Sequence, residues 1–488
     1  MTAAAQPNLT RAAIHGTAWR YMTFFSGKLM VLLSTIVLAR LLTKDDFGVV
    51  GYAVTTIAFL DAMSDLGIAP AVIYHPEEKS VLNTAFWLGL AISVCLFALT
   101  WSAGPLVALY FRDPRASQIT QVLALTYPIS ALGNIHEAIL RKRLNFGKNF
   151  IPDFFQALTK GGISIIFALL GYGPWSLIIG QISGALVAVA AFWIVTRWRP
   201  ALAFSVEKAR SLLRYGIQIV GVDLLGIFLL NVDYLLVGRY LGAAALGVYT
   251  LGFRIPDLLI LQFSRILSTV IFPIYTRMRD IPNSLARAFL FTCRYVSLVT
   301  VPIGLGLALL ARPLVEIAFT DKWTDAVPVI QTISIYAMLL SLAYNAGSAY
   351  KAQGRPQVLT QLGLIRIVLL VPALFWAVTV PKSISAVGWM QVAVALIGGS
   401  INLYAAGRLL RVPFLSILDS LRPAAAAGAV LCGATLTALW LTNKSPAWAQ
   451  LGLGTLAGAV GYLALLWYFE RPILVDIRST LLSAMKRG

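Results

Sequence analysis

Long apolar stretches, broken by short polar turns, run through the whole chain. A helix needs about 20 apolar residues, at ~1.5 Å each, to cross a ~30 Å hydrocarbon layer. By that measure the pattern predicts helices at about 16–40, 47–74, 82–111, 117–140, 151–170, 175–195, 211–238, 244–272, 289–311, 326–350, 358–380, 385–408, 422–441 and 447–469. The turns RDPR (112–115), GYGP (171–174), VPKS (380–383) and TNKSP (442–446) carry the Gly and Pro that end helices. The predicted fold is an all-α polytopic membrane bundle of about 14 transmembrane helices, one per ~35 residues of helix and loop.

The first hairpin has an echo about 200 residues later. ARLLTKDDFGVVGY (39–52) aligns without gaps to GRYLGAAALGVYTL (238–251), matching Arg40 to Arg239, Leu42 to Leu241, Gly48 to Gly247 and Val49 to Val248. Duplicated helix bundles are a common plan for transporters. The repeat predicts an N-terminal lobe over 1–196, a linker over 197–210 and a C-terminal lobe over 211–409. Two additional helices and a tail follow over 410–488. The VEKARSLLR stretch of the linker reads as a short interfacial amphipathic helix. The outward segment around 312–325 reads as a loop.

Composition sharpens this picture. The chain is 59% hydrophobic and 12% charged, against roughly 25% charged in a soluble protein. The net charge of +19 would suggest nucleic acid in a soluble chain. Here the basic residues lie mainly in loops on one side, so a nucleic-acid partner is excluded. With both termini and every second loop on one face, 25 of the 39 Lys and Arg fall there and nine on the other. The positive-inside rule then places both termini in the cytoplasm. The first apolar segment is of span length and lacks a basic leader, so no cleavable signal is expected. Cys95, Cys293, Cys432, His15, His75 and His136 form no disulfide framework or ligand spacing, so neither metal nor cofactor is implied.

Five cations remain inside spans: Lys28, Lys160, Arg254, Arg265 and Arg366. Each costs ~2.5–3.5 kcal/mol at the bilayer centre, so such residues usually face a cavity or a partner. Counted at ~1.5 Å per residue from the outer helix ends, Lys28, Lys160, Arg366 and Asp61 lie near mid-depth and Arg254 lies shallower. Arg265 lies near the inner surface, where a long side chain snorkels. The acids are Asp61, Asp65, Asp153, Asp223, Asp233 and Asp257. Asp61 and Asp65 share a helix face. Lys28 and Asp61 form either a structural ion pair or a working pair. Asp257 is spaced to neutralise Arg254, and Asp153 reads as the acid of a helix start. Lys28, Lys160, Arg254 and Arg366 are the candidate contacts for an anionic head group, since Lys and Arg suit phosphate oxygens. Asp61, Asp65 and Asp223 are the candidates for ion coupling. Pro70, Pro128, Pro256, Pro302 and Pro372 fall within spans and allow kinks.

Specific stretches resemble one family. LARLLTKDDFGVVG (38–51), FLDAMSDLGIAPAVI (59–73), LRKRLNFGK (140–148), NVDYLLVGRYLGAAALGVYTLGFRIPDLL (231–259) and YKAQGRPQ (350–357) are similar to bacterial polysaccharide flippases of the Wzx type. The likeness is to the WzxC-like branch of the MOP exporter superfamily and covers essentially the whole chain. It implies alternating access between two six-helix lobes, with a central cationic cavity. The cargo it implies is an undecaprenyl-pyrophosphate-linked oligosaccharide, moved from the inner to the outer leaflet of the cytoplasmic membrane. Membrane lipids and a polysaccharide polymerase are the expected partners, and no enzymatic activity is expected. Two other readings compete. A drug or metabolite antiporter of the same fold is disfavoured by mid-depth cations, which repel cationic drugs. A membrane polymerase or ligase is disfavoured because the longest outward loop has about 14 residues and holds no acid–base constellation.

Overall fold

The computed structural model describes residues 27–469, apart from residues 28, 65–66, 75–77, 144 and 282. The described residues contain helices and turns and no strand. The helices are α1 (Leu29–Leu41), α2 (Lys44–Ser64), α3 (Ile68–Tyr74), α4 (Lys79–Phe111), α5 (Pro114–Leu123), α6 (Thr126–Lys142), α7 (Phe146–Leu169), α8 (Pro174–Val195) and α9 (Val206–Pro256). A π-helix (Asp257–Leu261) leads into α10 (Gln262–Met278), followed by α11 (Ser284–Leu309) and α12 (Ala311–Ala318). A 3-10 turn (Asp321–Ala326) precedes α13 (Val327–Ala352), α14 (Gln357–Thr379), α15 (Ile384–Leu410), α16 (Phe414–Leu441) and α17 (Ala447–Phe469). Among the described residues, nine helical stretches are long and apolar enough to cross a membrane. Large apolar side chains such as Leu106, Ile194, Val368 and Trp440 stand fully outward, as lipid-facing residues do.

Local chemistry sets the helix ends. Thr43 and Asp46 cap α2 reciprocally: the Asp46 N–H donates to Thr43 Oγ1 (3.1 Å) and the Thr43 N–H to Asp46 Oδ2 (2.8 Å). In the RDPR turn, Asp113 caps α5 by accepting from the Arg115 N–H at 3.0 Å, and Pro114 takes the first helical position. In the GYGP turn, Gly171 and Gly173 carry φ of 82° and 53°, which L side chains rarely adopt, and Pro174 opens α8.

Helices cover the predicted spans, but not one helix for one span. The predicted 47–74 helix is interrupted at Gly67, at φ 68°, just before α3 begins at Ile68. The 117–140 span divides into α5 and α6. The spans at 211–238 and 244–272 join through α9, whose 51 residues would measure ~75 Å if straight. That far exceeds a bilayer, and Gly242, at φ 86° and ψ −178°, breaks the helix. The 312–325 segment is not a loop: it forms α12 and the 3-10 turn, and Trp323 is fully buried there. VEKARSLLR is not a separate interfacial helix but the opening turns of α9. Asp153 does not start a helix, since α7 begins seven residues earlier at Phe146; its carboxylate accepts from Asn149 Nδ2 at 3.3 Å.

The chain forms two compact units, Met1–Gly247 and Val248–Gly488. In the N-terminal unit an apolar core gathers Ile68 and Val72 of α3, Leu82 and Phe86 of α4, Ile135 and Ile139 of α6, and Leu212 of α9. At one end of this unit Arg115 bonds to Asp45 and, at 2.8 Å, to Asp113. Arg239 donates to the carbonyl of Leu109 at 3.0 Å and lies 5.5 Å over the Tyr110 ring. At the other end Lys208 reaches Glu78 (2.6 Å), and the linker backbone at Ala201 accepts from Trp87 Nε1 (2.9 Å) and donates to Asn83 Oδ1 (3.1 Å). Loops that the charge pattern assigns to one face thus lie together. The C-terminal unit has a core around Tyr275, Phe289, Tyr350 and Ile417, and a second around Leu431, Tyr462 and Leu466.

Within the N-terminal unit the two copies of the repeat interlock reciprocally. A Cβ on Gly48 would stand 1.7 Å from the Ala243 carbonyl oxygen, and a Cβ on Gly247 2.0 Å from the Lys44 carbonyl oxygen. In the repeat's own register Gly48 corresponds to Gly247 and Lys44 to Ala243, so each contact is the image of the other. Gly48→Ala and Gly247→Ala are each expected to destabilise the protein by ~1–3 kcal/mol, as overpacking does. Gly398→Ala, with nothing within 4 Å of its Cβ, should be neutral or slightly stabilising. Thermal unfolding in detergent separates these outcomes.

Hydrogen bonds from Arg115 hold the Asp113 carboxyl below the usual carboxylate range. The stability this lends is fully present above the ordinary carboxylate value of ~4 and is lost as pH falls through the lowered one. Arg115 is half-exposed, so the effect is expected to stay below ~1 kcal/mol. Arg115→Ala should unfold at a lower temperature than the parent at pH 7, and the difference should shrink at pH 3.

Candidate functional site

The intramembrane charges divide between the two units. In the N-terminal unit Asp61 lies exposed near the end of α2, close to Tyr127, whose hydroxyl donates to the Ile57 carbonyl at 3.1 Å. Lys160 is half-buried on α7, and its stem leaves toward α8: a Cβ on Gly184 would lie 3.0 Å from the Lys160 Cβ. Lys28 and Asp65 lie outside the described residues, as does the side chain of Asp223, whose backbone belongs to α9.

The C-terminal unit carries the better-defined constellation. Pro256 ends α9 and has no N–H to return to the preceding turn. The chain widens there into the π-helix, closed by the Gln262 N–H on the Asp257 carbonyl. Residues of an α-helix turn by ~100° each, so residue i+7 returns to within about 20° of residue i. One additional residue in the wide turn gives that position to i+8. Arg265 therefore reaches back along the helix to Asp257, with Nη2 to Oδ1 at 3.5 Å. The Gln262 amide donates to the other carboxylate oxygen at 3.2 Å.

Helix α13 supplies the opposing surface. Tyr344 and Tyr336 both lie within electrostatic reach of the Arg265 guanidinium. Tyr336, almost fully buried, also accepts from Arg366 Nη2 of α14 at 2.8 Å, with the guanidinium carbon 5.9 Å from its ring centre. Arg366 Nε is buried with no acceptor among the described residues, and so is Asn345 Nδ2. Ser268 of α10 and Ser348 of α13 face each other at 3.3 Å. The result is a polar cluster inside an apolar bundle: two guanidiniums on different helices, one carboxylate, and neutral tyrosines beside both cations. Arg254 is half-buried on the last turn of α9, next to this cluster in sequence.

Two expectations are corrected. Arg265, left out of the candidate contacts, pairs with Asp257 and so joins the cluster. The ion-pair partner of Asp257 is Arg265 in α10, where the spacing had pointed to Arg254. Tyr336, Tyr344, Gln262 and Asn345 were not singled out in the sequence. The recurrence of Ser341, Tyr344, Asn345 and Ser348 on one face of a predicted span was a signal for Tyr344 and Asn345; none pointed to Tyr336 or Gln262. Among the described residues no group of three or more His, Cys, Asp or Glu could hold a metal ion. The arrangement is suited to binding an anion with several oxygens, through two forked donors held in a medium of low dielectric.

Comparison with known proteins agrees with this architecture. The succinoglycan biosynthesis transport protein ExoT of Rhizobium meliloti is 28% identical, covering 90% of this chain and 89% of that protein. The teichuronic acid biosynthesis protein TuaB of Bacillus subtilis is 26% identical, covering 94% and 96%. The lipopolysaccharide biosynthesis protein WzxC of Escherichia coli is 23% identical, covering 75% of each chain. Among solved structures, the lipid II flippase MurJ in an inward closed conformation superposes with a TM-score of 0.74 at 15% identity, over 93% of this chain and 99% of that one. An inward-facing MATE multidrug transporter of the MOP superfamily superposes at 0.65 and 16% identity, over 79% and 96%. The fold is therefore the one these transporters share. Residues 37–328 match the family model described as polysaccharide biosynthesis protein, and on that match the chain is a member of the polysaccharide biosynthesis protein family.

Proposed function

We propose that the protein is a flippase that carries undecaprenyl-pyrophosphate-linked oligosaccharide units from the inner to the outer leaflet of the bacterial cytoplasmic membrane. The product would serve exopolysaccharide, capsule or O-antigen synthesis, and both termini would lie in the cytoplasm. The observation that carries this reading is the pair of guanidiniums, Arg265 and Arg366, set beside neutral tyrosines inside a bundle of transporter fold. Burying two cations beside one carboxylate leaves charge for a ligand to satisfy, and a pyrophosphate does so. The transport and biosynthesis roles in the names of ExoT, TuaB, WzxC and MurJ point to the same class of cargo.

An apolar cavity of about 490 Å³ in the C-terminal unit supports the lipid half of that cargo. It is lined by Leu298 and Pro302 of α11, Leu431 of α16, and Gly458, Tyr462 and Leu466 of α17. Such a surface suits a polyprenyl chain. Transport would proceed by alternating access between lobes over 1–196 and 211–409, with Lys28, Lys160, Arg254 and Arg366 as head-group contacts. Asp61, Asp65 and Asp223 would couple the cycle to an ion gradient, and a polymerase would take up the product. The MATE-type fold also fits an ion-coupled antiporter, but net positive charge at the cluster disfavours the cationic drugs such a protein would carry.

Deletion of the gene is expected to strand completed lipid-linked repeat units on the inner leaflet and abolish the surface polymer. Restoration of polymer by the parent, and by neither Lys28→Ala nor Arg366→Ala at equal membrane abundance, supports the reading. Full complementation by either variant removes that residue from the head-group site. Asp61→Asn is expected to impair gradient-driven transport in vesicles while leaving binding unchanged. Equal rates with and without an imposed gradient, in the parent as in the variant, would take Asp61 out of coupling.

A further inference from the structure

We infer that Asp257 is an exchangeable counter-ion: it neutralises Arg265 while the site is empty and yields that guanidinium to a phosphate of the cargo when the site is loaded. The inference rests on the anionic-cargo reading above and goes beyond it by assigning an acid, and not a further base, to the control of affinity.

Four observations carry it. The Asp257–Arg265 contact is 3.5 Å long, with both side chains about one-third exposed, so the pair is loose and open to a competitor. Asp257 has a second anchor, the Gln262 amide at 3.2 Å, which holds the carboxylate in place once Arg265 turns away. The Tyr344 and Tyr336 hydroxyls lie within electrostatic reach of Arg265, so the guanidinium stays among polar groups when its anionic partner is exchanged. Arg366 bonds to the neutral Tyr336 and keeps a buried Nε–H with no acceptor among the described residues, an opening for a further anionic oxygen.

The charges give the consequence. Two guanidiniums and one carboxylate sum to one positive charge. A pyrophosphate diester brings two negative charges, one for each guanidinium, and the displaced Asp257 then faces it as a like charge. Binding is strong enough to select the anion, and the retained carboxylate weakens the loaded state enough to release it. A transport site needs both, since a cargo that is held too firmly does not leave.

The test uses the full chain in lipid nanodiscs, titrated with geranylgeranyl pyrophosphate. Asp257→Asn is expected to tighten binding roughly 2- to 5-fold, the weight of a partly screened charge pair. Arg265→Gln and Arg366→Gln are expected to weaken it. In the Asp257→Asn/Arg265→Gln double variant the tightening should disappear, because the acid has no guanidinium left to compete for. Asp257→Glu, which restores the charge, should restore the weaker affinity. Unchanged or weaker binding by Asp257→Asn, alongside weakened binding by Arg366→Gln, overturns the counter-ion role and leaves the anionic-cargo reading standing. Equal tightening by Asn and Glu overturns it as well, since shape and not charge would then be responsible. If the parent fails to bind, or both arginine variants bind as the parent does, the cationic site and the counter-ion fall together.

Discussion

Two helix backbones meet where no side chain fits. Gly48 of α2 lies against the carbonyl of Ala243, and Gly247 against the carbonyl of Lys44, so closely that a single methyl group at either glycine would overlap an oxygen. The contact depends on the absence of atoms, and much of the N-terminal unit follows from it. The close crossing fixes where α2 meets the second arm of α9, and Gly242 supplies the backbone conformation that lets that arm begin. The stacked Tyr52 and Phe111, with ring centres 4.3 Å apart, lie against Gly238 in the same neighbourhood. Arg115 and Arg239 then tie the adjoining turns with charge-assisted bonds. Because the two contacts are images under the repeat, one duplicated stretch furnishes both halves of its own interface, as in an isologous dimer.

The same economy of local geometry shapes the polar cluster. Removal of one N–H at Pro256 opens a wide turn, the wide turn rotates everything after it, and Arg265 comes to lie above Asp257. A π-turn is usually costly and short, and such turns recur where a helix must aim a side chain that regular winding would send elsewhere. Here the residue aimed is an arginine inside an apolar bundle, where a lone charge would be expensive. The cost is partly offset by the Asp257 carboxylate, which the Gln262 amide holds in place.

What the sequence made legible follows from the range of the forces involved. Hydrophobic periodicity and turn chemistry are local, so the all-helical character of the described residues and the RDPR and GYGP turns could be read directly. The repeat could be aligned, but that its two glycines touch each other's neighbours is a tertiary fact. The partner of Asp257 could not be read, because spacing rules assume regular winding and the π-turn shifts the register by one residue. VEKARSLLR misled differently: an amphipathic stretch has the same pattern whether it lies on a bilayer or opens a longer helix. In this chain Lys208 uses its charge to pair with Glu78 at the foot of α4.

The identity of the partners matters more than their number. Had a carboxylate stood where Tyr336 stands, Arg366 would be neutralised within the protein, and the buried pair would bind nothing further. A tyrosine hydroxyl holds the guanidinium in place with one hydrogen bond, and its ring adds a cation–π contact, while the positive charge remains available. Two arginines held only by tyrosines would bind an anion tightly and release it slowly. Placing one acid against one of them sets the affinity between those limits, and the length of the Asp257–Arg265 contact keeps that acid displaceable. A membrane site that must take up a charged head on one face and give it up on the other therefore gains from an incomplete internal salt bridge, which neither a fully paired nor an unpaired arrangement supplies.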